Sequence, residues 1–465
     1  METGNLMHAE RLAALDGLRQ LVVGTVARPG EQGYQHAIPW NVAAEVNPGA
    51  VVSVASATDV AHTVRFAAGC GLTVAVQATG HGALSIGRDT ILIHTGEMVT
   101  CAVDPTRRTA SVGAGVRWQQ VLDAATPHGL APLTGSAPAV GVVGFLTGGG
   151  IGPLVRTFGA SSDYIRSFNV VTGAGQLLHA TAEDSNDLFW GLRGGKATLG
   201  IVTAVEIDLL PISELYGGAI YFEGQDAAKV LHCWREWSAN LPEQVNTSLA
   251  FLRLPPLPSV PAPLAGRFSV AVRYAALGDV GAAEELLRPI RDVAGPLMDS
   301  VTVMPYSSIG MVHADPVDPM PIYERTVMLQ ELSAEAADAV IAVVGPQSAC
   351  TLTIVELRLL GGALSSPAAP DSALCHRGMA YVLHSIGVLD PSVAGSVVDH
   401  SGALVDALSQ WSTGAELPNF APASDAARLA RCYDENTLHR LAALAEHYDP
   451  AGVLRVGQVA RVTRT

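Results

Sequence analysis

The chain has 465 residues, of which 49% are hydrophobic and 15% are charged, and its 43 acidic and 28 basic residues give a formal net charge of −15. A chain this apolar and this poor in charge is not disordered, and its acidic balance excludes a nucleic-acid backbone as a partner. It has no apolar run long enough to span a membrane, and its first residues lack the basic and apolar regions of a signal peptide. We therefore expect a cytoplasmic protein with no membrane partner.

The cysteines and histidines predict neither disulfides nor a metal site. The six cysteines are scattered and contain no C-x-x-C pair, and the 14 histidines form no i, i+4 pair with acidic company. In a chain of this length, isolated cysteines indicate free buried thiols.

The first half of the chain begins as strand, helix, strand. Val51–Ala55 alternates, Ser56 and Asp59 have the spacing of a capping box, and Leu72–Val76 is the next strand. This βαβ pattern predicts a parallel pair of strands. Further elements are predicted as strands at Ile91–His94, Ala110–Val112 and Ile201–Asp208 and as a helix at Trp118–Thr126.

A domain boundary is predicted at Pro211, which ends the strand before it. The middle of the chain mixes both kinds of element: strands at Gly218–Phe222 and Leu352–Leu360, and helices at Gln225–Leu241 and Asp279–Val293. One further helix is predicted over Ala426–His447. The pattern therefore predicts a first domain that ends at residue 211 and a middle segment over about 212–405.

Glycine clusters crowd the first 200 residues. They lie at Gly80–Gly82, Gly113–Gly115, Gly148–Gly152 and Gly194–Gly195. None has the spacing of a Rossmann or Walker motif, and each alone is typical of a tight turn. Because bare backbone can approach a pyrophosphate closely, their number in one region favours a nucleotide cofactor. His81 lies between two of these glycines, just after a predicted strand.

Seven segments together resemble one family of flavoproteins. They are Pro39–Asn41, Val74–Gly82, Gly135–Gly152, Phe158–Asp163, Asp187–Gly195, Gly200–Thr203 and Tyr448–Arg455. They are similar to the berberine-bridge-enzyme-like branch of the FAD-linked oxidases of the para-cresol methylhydroxylase and vanillyl-alcohol oxidase type. The resemblance implies an α+β fold: a two-part FAD-binding domain over 1–211, a substrate domain with an antiparallel sheet flanked by helices over 212–405, and a tail over 406–465 that returns to the FAD domain.

The resemblance also implies which residues hold FAD. His81 matches the histidine that is linked covalently to the flavin ring, and Ala137 replaces the cysteine that forms a second link in bicovalent members, so a cysteinyl link is excluded. The other cofactor-binding residues that the resemblance implies are Thr79, Gly80, Gly82, Ala83, Gly135, Ser136, Val140, Gly141, Gly144, Thr147, Gly148, Gly149, Gly150, Gly152, Gly200, Ile201, Val202, Arg455 and Gln458.

Glu356 is the candidate base. Alternation over Leu352–Leu360 places Glu356 and Arg358 on one face of a strand and Leu357 on the other. The pair is either a solvated surface pair or a pair that faces substrate, and the pattern does not separate the two. Asn419 matches the family's asparagine near the flavin, and Tyr306 and Tyr323 are candidate pocket phenols.

Two functions follow from these observations. The first is an FAD-dependent oxidase that acts on a medium-sized organic molecule, of the kind found in bacterial secondary metabolism, with oxygen as a possible electron acceptor. The second is a cyclase or isomerase that retains FAD and closes a ring without net redox change. The second is motivated by departures from the family pattern: Leu417 stands where a tyrosine is usual, and two C-terminal asparagines are replaced.

Overall fold

The computed structural model describes residues 15–196, 199–420 and 426–456. Three β-sheets with helices packed against them organise these parts of the chain. The predicted α+β class is confirmed. The predicted division at residue 211 remains a prediction, although the first two sheets use strands before this point and the third uses strands after it.

The first sheet has four strands in the order β1-β2-β4-β3. Their bounds are Thr25–Ala27 (β1), Ala50–Ser53 (β2), Thr73–Gln77 (β3) and Thr90–His94 (β4). Helix α1, Ala57–Gly69, connects β2 to β3, and the Ser56 hydroxyl caps it by accepting the Asp59 N–H. The predicted parallel pair is corrected in one respect: β2 and β3 are parallel, but β4 lies between them and pairs with both.

The second sheet is antiparallel, in the order β5-β6-β9-β7-β8. Its strands are Cys101–Asp104 (β5), Thr109–Gly113 (β6), Ile165–Val171 (β7), Leu177–Ala180 (β8) and Ile201–Asp208 (β9). The accompanying helices are Trp118–Ala125 (α2), Val142–Thr147 (α3), Val155–Phe158 (α4) and Asn186–Leu192 (α5). Trp118 and Phe168 are fully buried in the core between this sheet and its helices.

The third sheet has eight antiparallel strands in the order β13-β10-β12-β11-β16-β17-β15, with β14 paired to β10. Its strands are Glu214–Glu223 (β10), Val245–Arg253 (β11), Phe268–Ala276 (β12), Pro296–Asp299 (β13), Thr302–Pro305 (β14), Ile322–Leu329 (β15), Ile354–Leu359 (β16) and Tyr381–Val388 (β17). Helices Ala227–Ser238 (α6), Val280–Arg291 (α7), Ala334–Val344 (α8) and Ala394–Ala407 (α9) accompany it.

The two faces of this sheet differ because side chains alternate along each strand. On β16, Val355, Leu357 and Leu359 join the core under the helices, as the sequence predicts. Glu356 and Arg358 lie on the opposite face, and both are buried. The surface-pair interpretation of these two residues is therefore wrong.

The C-terminal part returns to the first half. The single helix predicted over 426–447 is two helices, Ala426–Cys432 (α10) and Glu435–Tyr448 (α11). Asp434 separates them, because its carboxylate caps α11 by accepting the Thr437 N–H. Beyond α11, the Val453 carbonyl accepts the N–H of Val74 on β3, so the tail packs against the first sheet.

Three further observations concern the cysteines, membranes and metals. All six cysteines are free thiols. Across the three described ranges, no helix has both the length and the apolar character needed to cross a membrane. The same ranges contain no group of His, Cys, Asp or Glu side chains arranged to hold a metal ion.

One arginine joins the first half to the third sheet. Arg156, on α4, donates from Nε to Val245 O (2.9 Å), from Nη1 to Leu360 O (2.5 Å) and from Nη2 to Leu241 O (3.0 Å). Its backbone N–H donates to Asn246 Oδ1 (2.8 Å). The side chain is buried. It thus provides hydrogen bonds for carbonyl groups at a seam that water does not reach.

We expect Arg156→Met to lower the free energy of unfolding by about 3–5 kcal/mol, because it leaves these carbonyls buried without donors. The matched control is Arg166→Met, whose half-exposed guanidinium pairs with Asp208 at the surface and should contribute less than about 1 kcal/mol. Thermal and urea unfolding of both variants make the comparison. Equal stability of the two variants would contradict this role of Arg156.

Candidate active site

A cavity of about 980 Å³ lies between the glycine-rich first half and the polar face of the third sheet. Its volume is at the upper end of the range for ligand sites, roughly 300–1,000 Å³. One wall, the glycine wall, is formed by the loop after β3, by the start of β9 and by the glycine segment, residues 135–152, which lies before, along and just after α3. Strands β10, β12, β15, β16 and β17 provide side chains to the other.

His81 lies on the loop after β3, and the backbone before it is one that glycine favours. Gly80 has φ +76°, and a Cβ on it would lie 2.6 Å from Pro39 Cα. This close approach brings the His81 ring onto Trp40, with centroids 4.6 Å apart and planes 12° from parallel. The Nδ1 atom is 2.9 Å from Thr79 Oγ1. Among the described residues, Nε2 has no hydrogen-bond partner.

The His81 imidazole is neutral at neutral pH. Burial lowers the pKa of His81 to about 4. The positive charge of Arg117 lowers the pKa further by a smaller amount, and the negative charge of Asp315 opposes both effects. A neutral imidazole keeps a lone pair on one ring nitrogen, which is what a nucleophile or a covalent attachment point requires.

The glycine wall has room for a flat cofactor. A Cβ added to Gly82 or Gly144 would meet no atom within 4 Å, although both residues line the cavity. Side chains at these positions would project into the space instead of packing. The cavity volume, the bare backbone and the neutral His81 all fit FAD.

The structure places most of the predicted cofactor residues on this wall. The ones that line the cavity are Thr79, Gly80, His81, Gly82, Ala83, Gly135, Ser136, Val140, Gly141, Gly144, Thr147, Gly200, Ile201 and Val202. Gln458 lies outside the described residues.

Five other predicted cofactor residues do not line the cavity: Gly148, Gly149, Gly150, Gly152 and Arg455. The glycines lie behind the wall, where close packing requires them. A Cβ on Gly152 would lie 2.1 Å from Thr134 O, and one on Gly149 would lie 2.6 Å from Leu374 Cδ1. The sequence pattern alone does not distinguish a glycine that faces a ligand from one that faces a neighbouring chain segment.

Glu356 is fully engaged on the opposite wall. Its Oε1 lies 2.9 Å from Arg273 Nη1 and 3.2 Å from His313 Nε2, and its Oε2 lies 3.0 Å from Arg358 Nη2. Burial alone would raise the pKa of this carboxyl, but the charges of Arg358 and Arg273 hold its pKa well below the usual range. A carboxylate stabilised in this way is a weak base.

Arg358 connects this cluster to the glycine wall. Its Nη1 donates to the carbonyl of Ile151 (3.2 Å), which lies within the glycine cluster Gly148–Gly152. Its guanidinium carbon lies 5.6 Å from the centroid of the Phe420 ring. The cluster around Glu356 therefore sets the position of the sheet relative to the glycine segment.

Asn419 lies at the cavity, as predicted, and its amide Nδ2 donates to the carbonyl of Phe145 on α3 (2.7 Å). The two candidate phenols do not line the cavity. Tyr306 is buried behind the wall and donates its hydroxyl to Pro132 O (2.7 Å). Tyr323 packs against the helix-covered core instead. Tyr221, on β10, is a phenol that does line the cavity.

Sequence reasoning missed a histidine–carboxylate pair. His384 Nε2, on β17, lies 2.9 Å from Glu324 Oε2, on β15, and each side chain is 12% exposed. His384 is directly opposite Glu356 in the pairing of β16 with β17, and the edge of Phe420 contacts its ring (centroids 5.1 Å). The alternation of side chains along the strand is a signal that could have found His384. His384 and Ile386 are two residues apart and both line the cavity, as Glu356 and Arg358 do on the neighbouring strand.

Sequence reasoning also assigned no role to Lys196, which lines the cavity. It directly follows the glycine cluster Gly194–Gly195, and it is one of only two lysines, with Lys229, in the whole sequence.

Comparison with known proteins agrees with this geometry. A family model described as an FAD binding domain matches residues 48–181, the range that contains His81 and the glycine segment. (R)-6-hydroxynicotine oxidase from Paenarthrobacter nicotinovorans is 27% identical over 304 residues, which are 63% of this chain and 64% of that protein. The alignment thus spans less than two thirds of that relative's length.

Solved structures share the fold over nearly the whole chain. 6-Hydroxy-D-nicotine oxidase from Arthrobacter nicotinovorans has a TM-score of 0.82 at 23% identity and covers 95% of this chain and 98% of its own. BBE-like protein 1 from Physcomitrella patens has a TM-score of 0.81 at 19% identity and covers 98% of this chain and 100% of its own. The chain therefore contains an FAD-binding domain and shares its overall fold with these two proteins.

Glu356→Gln should lower the free energy of unfolding by about 3–5 kcal/mol at pH 7, because two buried guanidinium groups lose their counter-charge. The pKa of Glu356 is depressed in the folded state, so the ionised carboxylate stabilises the fold above the ordinary carboxyl pKa, and this stability is lost as the pH falls through the depressed value. The difference in Tm between wild type and variant should therefore be constant from about pH 6 to 8 and shrink in acid.

Glu183→Gln is the control, since that carboxylate is exposed. Its Tm should stay within about 1 °C of wild type at each pH, because exposed charges contribute little. If Glu356→Gln matches this control at pH 7, the buried cluster does not stabilise the fold.

Proposed function

We propose that this protein is an FAD-dependent oxidase that removes two electrons from a medium-sized organic molecule held between the glycine wall and the polar face of the third sheet. The observation that carries the proposal is the shared cavity: one wall has the bare backbone and neutral His81 that suit FAD, and the facing wall has a histidine–carboxylate pair. When bound, FAD supplies the acceptor for the hydride equivalent that leaves the substrate.

His81 is proposed as the attachment point of the cofactor. Its Nδ1 is held by Thr79, its ring is fixed on Trp40, and the other nitrogen is free of partners among the described residues. No cysteine is available for a second link, because Ala137 occupies that position and lines the same wall.

His384 is proposed as the group that accepts the substrate proton, in place of Glu356. The Glu356 carboxylate already binds two arginines and a histidine, whereas His384 has one carboxylate partner, Glu324, on its Nε2. A carboxylate on one ring nitrogen orients the imidazole and stabilises the imidazolium that forms when the ring gains a proton.

Acid precipitation tests the covalent attachment. Wild-type protein should give a yellow pellet, and His81→Ala should give a colourless pellet with FAD in the supernatant or none bound at all, because the linking nitrogen is gone. The exposed His439→Ala is the control and should give a yellow pellet. A colourless wild-type pellet with FAD in the supernatant would refute the link while leaving FAD binding intact.

Oxidase activity is tested without knowledge of the substrate by reducing the holoprotein with dithionite under nitrogen and mixing it with oxygenated buffer. Rapid return of the yellow spectrum with one equivalent of hydrogen peroxide supports the oxidase. A reduced spectrum that persists in oxygen would overturn it. The cyclase alternative differs in turnover: it would form product from a substrate with neither bleaching nor peroxide.

His384→Asn and Glu324→Gln should each slow anaerobic bleaching of the flavin by a reducing substrate. A loss of about 10²–10⁴-fold is expected for His384→Asn, which is the contribution of a positioned base. A smaller loss is expected for Glu324→Gln, because the imidazole remains. The visible spectrum of the oxidised flavin is recorded for each variant to verify that FAD is bound. Wild-type bleaching rates in His384→Asn would remove this residue from the mechanism.

A further inference from the structure

The backbone of Lys196 is in a conformation that non-glycine residues rarely adopt. Its φ is +57°, in the left-handed region, where a Cβ atom crowds the following carbonyl oxygen. Glycine removes this crowding, and two glycines, Gly194 and Gly195, precede Lys196 directly. A non-glycine residue in such a conformation is a starting point for a hypothesis about the function of its side chain.

The ammonium group of Lys196 lies at the cavity. Nζ donates to the carbonyl of Gly144 on α3 (3.1 Å), and no carboxylate of the described residues lies within ion-pair distance of it. Glu324 is the carboxylate whose charge reaches it across the cavity. Burial lowers the pKa of Lys196 to about 8, so the group remains mostly charged at neutral pH.

The chain makes room for this side chain at Gly148. A Cβ on Gly148 would lie 2.8 Å from Lys196 Cε and 2.1 Å from Asn419 Oδ1. Lys196 and Asn419 therefore pass over the same bare backbone, and Asn419 is held in turn by the carbonyl of Phe145. The lysine is thus one member of a fitted set at the C-terminal end of α3.

We propose that Lys196 is the cationic residue that stabilises the negative charge acquired by the bound flavin when it is reduced. This inference rests on the proposed function, in which FAD occupies the cavity. Transfer of a hydride equivalent brings two electrons and one proton to the flavin, so the reduced ring system carries one extra negative charge. The ammonium group of Lys196 would stabilise this negatively charged reduced flavin by electrostatic attraction, without transferring a proton.

The position of Lys196 on the glycine wall favours the flavin, and not the substrate, as the group that its charge stabilises. Its carbonyl partner, Gly144, and its neighbour Gly148 are both in the glycine segment of the first half. The acid–base pair of Glu324 and His384 lies on the opposite wall, on the third sheet. A positive charge in a poorly solvated site acts strongly over short distances.

Sulfite binding to the oxidised holoprotein tests the proposal without a substrate. Sulfite donates its electron pair to flavin N5, and the adduct carries the same extra negative charge that reduction produces. The Kd for sulfite, read from bleaching of the visible band, should be at least about tenfold weaker in Lys196→Met and within about threefold of wild type in Lys196→Arg. A tenfold change in the equilibrium of a two-electron reduction corresponds to about 30 mV, so the midpoint potential of Lys196→Met should fall by at least that amount.

Lys229→Met is the matched control. It removes the other lysine of the chain, which is exposed on α6, and should change neither the sulfite Kd nor the potential. Lys196→Gly adds a measurement of strain: it should raise the Tm while weakening sulfite binding as much as Lys196→Met does.

The proposal is wrong if Lys196→Met has the sulfite Kd and the midpoint potential of wild type. This holds even if the variant raises the KM of a substrate, because that result would assign Lys196 to substrate binding. Failure of the proposed function would give a different result: the wild-type protein would purify without FAD, or its flavin would stay reduced in the presence of oxygen. If Lys196→Met loses FAD, the potential is measured on Lys196→Gln, and the same criteria apply.

Discussion

The molecule depends on arginines that cross the seam between its two halves. Arg156 donates to three carbonyls of the segments around the third sheet, and Arg358 reaches from that sheet to the carbonyl of Ile151 in the glycine segment. A guanidinium group has several donors in a rigid plane, so it can satisfy backbone carbonyls from different segments at once. These contacts hold the two halves at a distance, and the cavity is the space that remains between them.

The same constraint explains which side chains are left for chemistry. Glu356 pairs with Arg358 at the seam and with Arg273 and His313 beside it, and these contacts occupy both of its oxygens. A carboxylate used in this way stabilises the architecture and gives up basicity. The cavity then retains His384, supported by Glu324, on the sheet, and His81 and Lys196 on the glycine wall. The walls thus differ in their side chains: the glycine-rich wall is mostly bare backbone, and the sheet wall has a histidine–carboxylate pair.

Local patterns in the sequence predicted the elements well where a periodic signal was strong. The strand Ile201–Asp208 and the two faces of the strand around Glu356 are as predicted, because alternation and burial are linked in a sheet. The same pattern did not show which polar face meets solvent and which meets a cavity. It also merged two helices at Asp434, since a capping residue between two apolar stretches does not interrupt their periodicity.

By itself, the sequence determined the fold class, the presence of an FAD-binding domain and most of the glycine-rich cavity wall, because these depend on glycines and a histidine at close spacing in the chain. Only the tertiary structure decided the roles of residues whose partners are distant in sequence. Glu356 became an ion-pair centre through Arg273 and His313, His384 gained Glu324, and Lys196 was placed against Gly144. Burial and pairing set the charge state of such groups, and both come from segments that meet only when the chain folds.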